Sequence, residues 1–123
     1  MMSNNTKPRF GEIWMARLNE NGNVQGGYRP VFIVSNDLNN THSPTVNIIP
    51  ITSRGNKRNL PIHVSLENYI DYGLTLPSTM LVEQIATVNV TSLEKKLGTV
   101  ADAPTLLQIK NAMNIQFPVF YVS

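Results

Sequence analysis

A mainly β fold, built as a small and strongly curved barrel with a C-terminal helix, is what this sequence predicts, and three observations carry the prediction. Short apolar runs recur between clusters of Gly, Pro and Asn. One longer stretch, with Leu106, Ile109, Met113 and Phe117, repeats at helical spacing over several turns. The chain has 123 residues, 41% of them hydrophobic, and no cysteine, which suits one domain with its own core and no disulfide framework. Many short strands with few helices bury their apolar faces by curling the sheet onto itself.

The elements follow in order. Met1 to Thr6 is polar and reads as a disordered tail, which leaves residues 7–123 as a single domain. Residues 10–18 form a first strand, and Asn21-Gly22 marks a turn in the loop after it. Residues 30–35 are apolar nearly throughout, as in a strand covered on both faces. Residues 45–51 and 61–66 are further strands, and the polar, basic span from Thr52 to Leu60 is an exposed loop between them. Residues 79–90 give one long strand or two short ones, with a bend near Glu83-Gln84. Thr91-Ser92-Leu93-Glu94 has the spacing of a capping box and Gly98 follows as a stop, so a short helix is expected over 92–97. Asp102 is a good N-cap and Pro104 is tolerated in a first turn, so the last helix is expected over 103–116.

Several classes are disfavoured at once. Without cysteine there is no thiolate zinc site, and His42 and His63, the only histidines, have no close carboxylate spacing that would hold a metal. No dinucleotide fingerprint or phosphate-binding Gly-Lys-Ser/Thr loop occurs, so no cofactor is expected. The apolar runs are too short to span a bilayer and the N-terminus lacks an apolar signal core, so a cytoplasmic protein is expected. Net charge is +2, but it divides as +4 over residues 1–58 and −2 over 59–123. The asymmetry fits either an anionic partner for the first half or an ordinary solvated surface.

The positive half also holds the most informative segment, Gln25-Gly26-Gly27-Tyr28-Arg29-Pro30. Gly26 and Gly27 permit a tight turn and close approach of a ligand. Pro30 fixes its own φ and biases Arg29 toward extended backbone. Arg29 then reads as a phosphate clamp at a strand edge, or as a surface arginine paired with Glu12 or Asp37. A second apolar run ends at Ile51-Thr52-Ser53-Arg54, where hydroxyls and another cation collect. Trp14 reads as core or barrel rim, with base stacking as the alternative. His63 reads as half-buried structure, and His42 sits in a polar loop.

The order Phe10-Gly11-Glu12-Ile13-Trp14, Gln25-Gly26-Gly27-Tyr28-Arg29-Pro30, Pro50-Ile51-Thr52-Ser53, Leu60-Pro61-Ile62-His63-Val64 and Leu81-Val82-Glu83-Gln84-Ile85 resembles the MazF/PemK (Kid) toxins of bacterial toxin–antitoxin pairs. The resemblance runs from about Lys7 to Phe117. It implies an SH3-like barrel of the type shared by MazF, Kid and CcdB. It implies catalytic roles for Arg29 and Thr52. Glu83 is then a candidate to orient Arg29 or to accept the ribose 2′-OH proton, or else a rim carboxylate or dimer contact. Gln25, Gly26, Gly27, Tyr28, Ser53, Arg54, Lys57, Arg58 and Gln84 would bind RNA. Two positions depart from common relatives. Val24 stands where many carry a glutamate, and Leu81 where some carry an arginine.

The function so implied is a sequence-specific, metal-independent endoribonuclease acting on single-stranded RNA. It would be a homodimer held silent by an antitoxin with an acidic, disordered tail, reaching DNA only through that antitoxin. Two rivals remain at this point. A CcdB-like gyrase poison shares the fold, but its signature is a C-terminal tryptophan, and the only tryptophan here is Trp14. An RNA-binding module without catalysis is the other.

Overall fold

The computed structural model describes residues 7–19, 26–53 and 60–121. Seven strands make one sheet: β1 (Glu12–Leu18), β2 (Gly27–Ile33), β3 (Thr45–Thr52), β4 (His63–Leu66), β5 (Ser78–Leu81), β6 (Ala86–Asn89) and β7 (Leu93–Thr99). Two α-helices, α1 (Asp37–His42) and α2 (Ala103–Gln116), accompany them. The strand path is β4-β5-β3-β2-β1-β7, with β6 also on β3 and every pairing antiparallel. Among the described residues the strand path is open rather than a closed barrel.

β3 is the spine. Val31, Phe32 and Ile33 of β2 pair along one of its edges, opposite Pro50, Ile49 and Ile48. The other edge is shared, with β6 on Thr45–Ile48 and β5 on Ile51–Thr52. The chain crosses from β5 to β6 through a 3-10 turn at Val82–Gln84. That turn is the bend expected near Glu83-Gln84, and it makes 79–90 two strands rather than one. Pro50 lies inside β3 and Pro30 is the fourth of the seven residues of β2, and both are tolerated without breaking the sheet.

Alternation along the strands gives the sheet two apolar faces. One gathers Ile13, Phe32, Ile49, Ile51, Val64, Leu66 and Met80 against Ile109 and Ala112 of α2. The other gathers Trp14, Ala16, Val31, Ile33, Val46, Ile48 and Leu93. Trp14 is thus core, and its indole donates to Glu12 at 2.9 Å. α2 starts and ends where its sequence signals place it. The Asp102 side chain accepts from the Thr105 backbone N–H at 3.2 Å, and Tyr72 donates to the same carboxylate at 2.5 Å.

Two readings need correction. The short helix expected over 92–97 is the strand β7, reached through a 3-10 turn at Val90–Ser92. A capping box contributes about 1 kcal/mol, whereas as a strand this segment satisfies the free edge of β1 from Glu12 to Ala16 and buries Leu93. Gly98 is then no helix stop. A Cβ there would overlap the Tyr72 carbonyl, and one on Gly73 would overlap the Leu97 carbonyl, so the two backbones cross in contact. The other correction is α1, where a polar loop was expected. Asn36 caps it, accepting from the Asn39 N–H at 2.8 Å, and buried Asn40 donates to the Ser35 carbonyl at 2.9 Å.

Candidate active site

β2 begins at Gly27, whose φ of +76° strains any other residue. The turn brings the buried Gly26 carbonyl back toward the strand, where Arg29 Nε donates to it at 2.6 Å. That bond holds the guanidinium plane at the strand end, where it can present a planar fork. The acids weighed as partners for Arg29 are engaged elsewhere. Glu12 is buried, accepts from the Arg9 N–H at 2.9 Å through Oε1 and pairs with Lys96 Nζ at 3.1 Å through Oε2. Asp37 pairs with Arg9 at 3.1 Å and accepts from the Phe10 N–H at 2.6 Å.

Strand register relates Arg29 to Thr52. Val31 faces Pro50, and the same count carried two residues toward the start of β2 sets Arg29 across from Thr52. Alternation puts both on the face that carries Val31, Ile33, Val46 and Ile48. Thr52 is only 8% exposed, so its backbone is well anchored beneath any ligand. The extended register therefore sets a charged fork and a hydroxyl donor on one face at one end of the sheet.

The other candidates divide. Tyr28 falls on the opposite face, half exposed, with the Arg17 guanidinium 5.1 Å from its ring centroid. Ser53, just past β3, lines a hollow of about 240 Å³ with Pro30, Ile51, Leu74 and Leu76, again on the face away from Thr52. Gln84 is half-buried in the 3-10 turn. Gln25, Arg54, Lys57 and Arg58 lie outside the described residues.

Glu83 sits on that same turn. Thr52 faces Thr79 on β5, and Glu83 comes four residues later, on the order of 10 Å along the chain path. Its side-chain partner is His63, with Nε2 3.1 Å from Oε2, and not Arg29. The side chains are 18% and 30% exposed, respectively. Glu83 Oε1 is buried with no hydrogen-bond partner among the described residues, an uncommon condition for a carboxylate oxygen. His63 is half-buried as expected, but its contact with Glu83 was invisible in sequence. The two are joined only because β4 and β5 set His63 opposite Leu81. His42 ends α1, exposed, beside Lys7 in a separate shallow hollow. Among the described residues no group of three or more His, Cys, Asp or Glu could hold a metal.

An arginine and a threonine juxtaposed across two strand ends, on a small antiparallel sheet with one C-terminal helix, define a class. Residues 9–117 match the family of PemK-like, MazF-like toxins of type II toxin–antitoxin systems, and the chain belongs to that family. A relative is the protein named Endoribonuclease MazF of Staphylococcus saprophyticus subsp. saprophyticus, 40% identical over 108 residues, which are 87% of this chain and 88% of that one. The fold is shared with the Mycobacterium tuberculosis toxin MazF-mt6 at a TM-score of 0.73 and 24% identity, over 87% of this chain and 96% of that one. It is also shared with MazF (Form-I) from Deinococcus radiodurans, at 0.73 and 21%, over 91% and 97%. A third similar structure, an endoribonuclease in complex with its cognate antitoxin from a Mycobacterial species, has a TM-score of 0.72 at 24% identity, over 91% and 96%.

Proposed function

We propose that this chain is a toxin endoribonuclease that cuts single-stranded RNA at specific sequences without a metal ion. The observation that carries the reading is Arg29 set across from Thr52 at one end of the sheet. RNA brings its own nucleophile, the ribose 2′-OH, so the protein needs only to position a phosphate, stabilise its charge and move protons. In the proposed step the 2′-oxygen attacks the adjacent phosphorus and its proton passes to Glu83. The bond from phosphorus to the 5′-oxygen breaks, and Arg29 lends that oxygen a proton. The products are a 2′,3′-cyclic phosphate and a 5′-OH end. Thr52 donates to a non-bridging oxygen. His63 holds the carboxylate in place.

Relatives named for an endoribonuclease and for an antitoxin complex support the same reading. The partner set proposed is a second copy of this chain and a cognate antitoxin whose acidic tail occupies the RNA path, with DNA reached only through that antitoxin. The place of action proposed is the cytoplasm; no helix among the described residues is long and apolar enough to cross a membrane.

The test is incubation of the purified protein with a mixed-sequence RNA in excess EDTA, with both new ends mapped. Cyclic phosphate and 5′-OH termini at a recurrent sequence are expected. Intact RNA, or cutting only after magnesium or manganese is restored, overturns the proposal.

A further inference from the structure

The strand registers carry the row that begins with Arg29 and Thr52 across two more strands. Thr52 of β3 faces Thr79 of β5, and Thr79 faces Ser65 of β4. Arg29, Thr52, Thr79 and Ser65 thus form one transverse line over β2, β3, β5 and β4. Directly opposed residues in antiparallel strands point to the same face, so all four side chains leave the sheet on the side that bears Arg29. The next line of the same face, two residues along each strand, is Val31, Pro50, Leu81 and His63, apolar until it reaches the His63–Glu83 pair. A polar row therefore borders an apolar one.

The hydroxyls of Thr79 and Ser65 are not consumed by the fold. Neither makes a side-chain hydrogen bond with another described residue, and Thr79 is half-buried while Ser65 is exposed. Other hydroxyls on the sheet's margins have partners: Ser35 bonds Asn40, Ser78 bonds the Leu76 carbonyl, and Thr87 receives from Asn47. Strand spacing makes the line ~14 Å long from Arg29 to Ser65. That is more than one phosphate needs.

We infer that Thr79 and Ser65 are RNA-positioning residues that hold the phosphate next to the scissile one. The inference deepens the endoribonuclease reading and rests on it. Arg29 and Thr52 take the reacting phosphate, and the strand continues over β5 and β4, where the two hydroxyls donate to the neighbouring phosphate's oxygens. The neighbouring row of Val31, Pro50 and Leu81 is buried and anchors the strands beneath the polar one, and it ends at His63 beside Glu83. A phosphodiester backbone is favoured over an acidic peptide because the donors are neutral hydroxyls in a straight line that begins at the Arg29 guanidinium. An acidic peptide would be better served by repeated cations.

The test uses the full-length protein and an RNA oligonucleotide carrying the mapped cleavage site with a single 2′-deoxy nucleotide at the cleaved position, so that it binds uncut. Two lengths are compared by fluorescence anisotropy, one ending at the reacting phosphate on the β4 side and one extending beyond it. Thr79→Val with Ser65→Ala should bind the short probe as wild type does and the long probe roughly tenfold more weakly, the scale of one to two lost hydrogen bonds. Thr79→Ser, which keeps the hydroxyl, should recover most of the loss. On a cleavable long substrate the double variant should raise KM with little change in kcat. Binding of both lengths within twofold of wild type overturns the inference, as does a loss that Thr79→Ser fails to rescue. So does unchanged RNA binding combined with weaker binding of a short oligoglutamate peptide, which would assign the row to a protein partner. Should the wild type cut no RNA, the endoribonuclease reading falls separately. A fluorescent mixed-sequence RNA then replaces the mapped probe, and weaker binding by the double variant, restored by Thr79→Ser, keeps the row as a phosphate site, while equal binding removes it.

Discussion

His63 Nε2 and Glu83 Oε2 lie 3.1 Å apart, joined across the β4–β5 pairing by residues twenty positions distant in sequence. If Glu83 accepts the 2′-OH proton, its position depends on that imidazole, and the two residues should act as a unit. Glu83→Gln should slow single-turnover cleavage by about 10²-fold or more, the usual worth of a positioned base. His63→Gln should slow it by less. The double variant should be no slower than Glu83→Gln alone, because the histidine acts only through the carboxylate. Fully multiplicative losses would mean that His63 has a separate role.

Arg29→Ala and Thr52→Val should each leave a folded protein that cuts RNA on the order of 10²–10³-fold more slowly, the cost of one preorganised donor to a charged transition state. Arg29 should cost more, because it brings a full charge and a proton. Arg29→Lys should rescue little, since an ammonium lacks the planar fork. Single-turnover cleavage with circular dichroism as a folding control checks this. A folded Arg29→Ala protein within a few-fold of wild type would take Arg29 out of the chemistry.

Lys57 and Arg58, in the basic segment after Thr52, should contribute affinity without sequence discrimination. Changing both to alanine should weaken RNA binding at low salt. It should also flatten the dependence of log K on log salt by ~0.7 for each phosphate that is no longer neutralised. A changed cleavage pattern at an unchanged salt slope would show instead that the segment reads bases.

The start of α2 should make stability sensitive to pH at both extremes. Asp102 is held below the usual carboxylate range by its hydrogen bonds to Thr105 and then Tyr72. Its contribution is therefore complete above the unfolded value, 3.8, and is lost as pH falls through the lower folded one. The Tyr72 hydroxyl is raised above 10.0 by burial first and by Asp102 second, so its contribution is complete below 10.0 and is lost as pH rises through the higher folded value. Asp102→Ala should cost about 1–2 kcal/mol at neutral pH through the lost cap. Asp102→Asn, which can still cap, should lose less stability than wild type does when thermal melts at about pH 6 and about pH 3 are compared. Parallel losses would rule out Asp102 as the titrating group.

Legibility in the sequence followed the range of the interactions involved. β1, β3 and α2 were readable because alternation, the Asp102 cap and Pro104 are local signals. The Arg29 and Thr52 positions were readable because a glycine turn and a strand end mark them. β7 was misread because its capping-box spacing is local, while the force that makes it a strand is the unsatisfied edge of β1, some eighty residues earlier. α1 was missed because its six residues hold a single apolar side chain, Leu38, and so carry no periodicity. The line from Arg29 to Ser65, and the meeting of His63 with Glu83, were beyond reach. Each is a product of register, and register is set by the whole sheet.

The edge of β3 that carries β2 has a consequence for how such a protein can diversify. β2 starts and β3 finishes at the end where Arg29 and Thr52 stand, so the segments that join β1 to β2 and β3 to β4 are both attached beside them. Insertions or exchanges there leave the ladder of Val31 to Ile33 on Ile48 to Pro50 unchanged. On the proposed mechanism, lineages can trade one target sequence for another through the segment between β1 and β2 while inheriting the same cutting apparatus, and a reservoir of toxins with unlike appetites can descend from one scaffold.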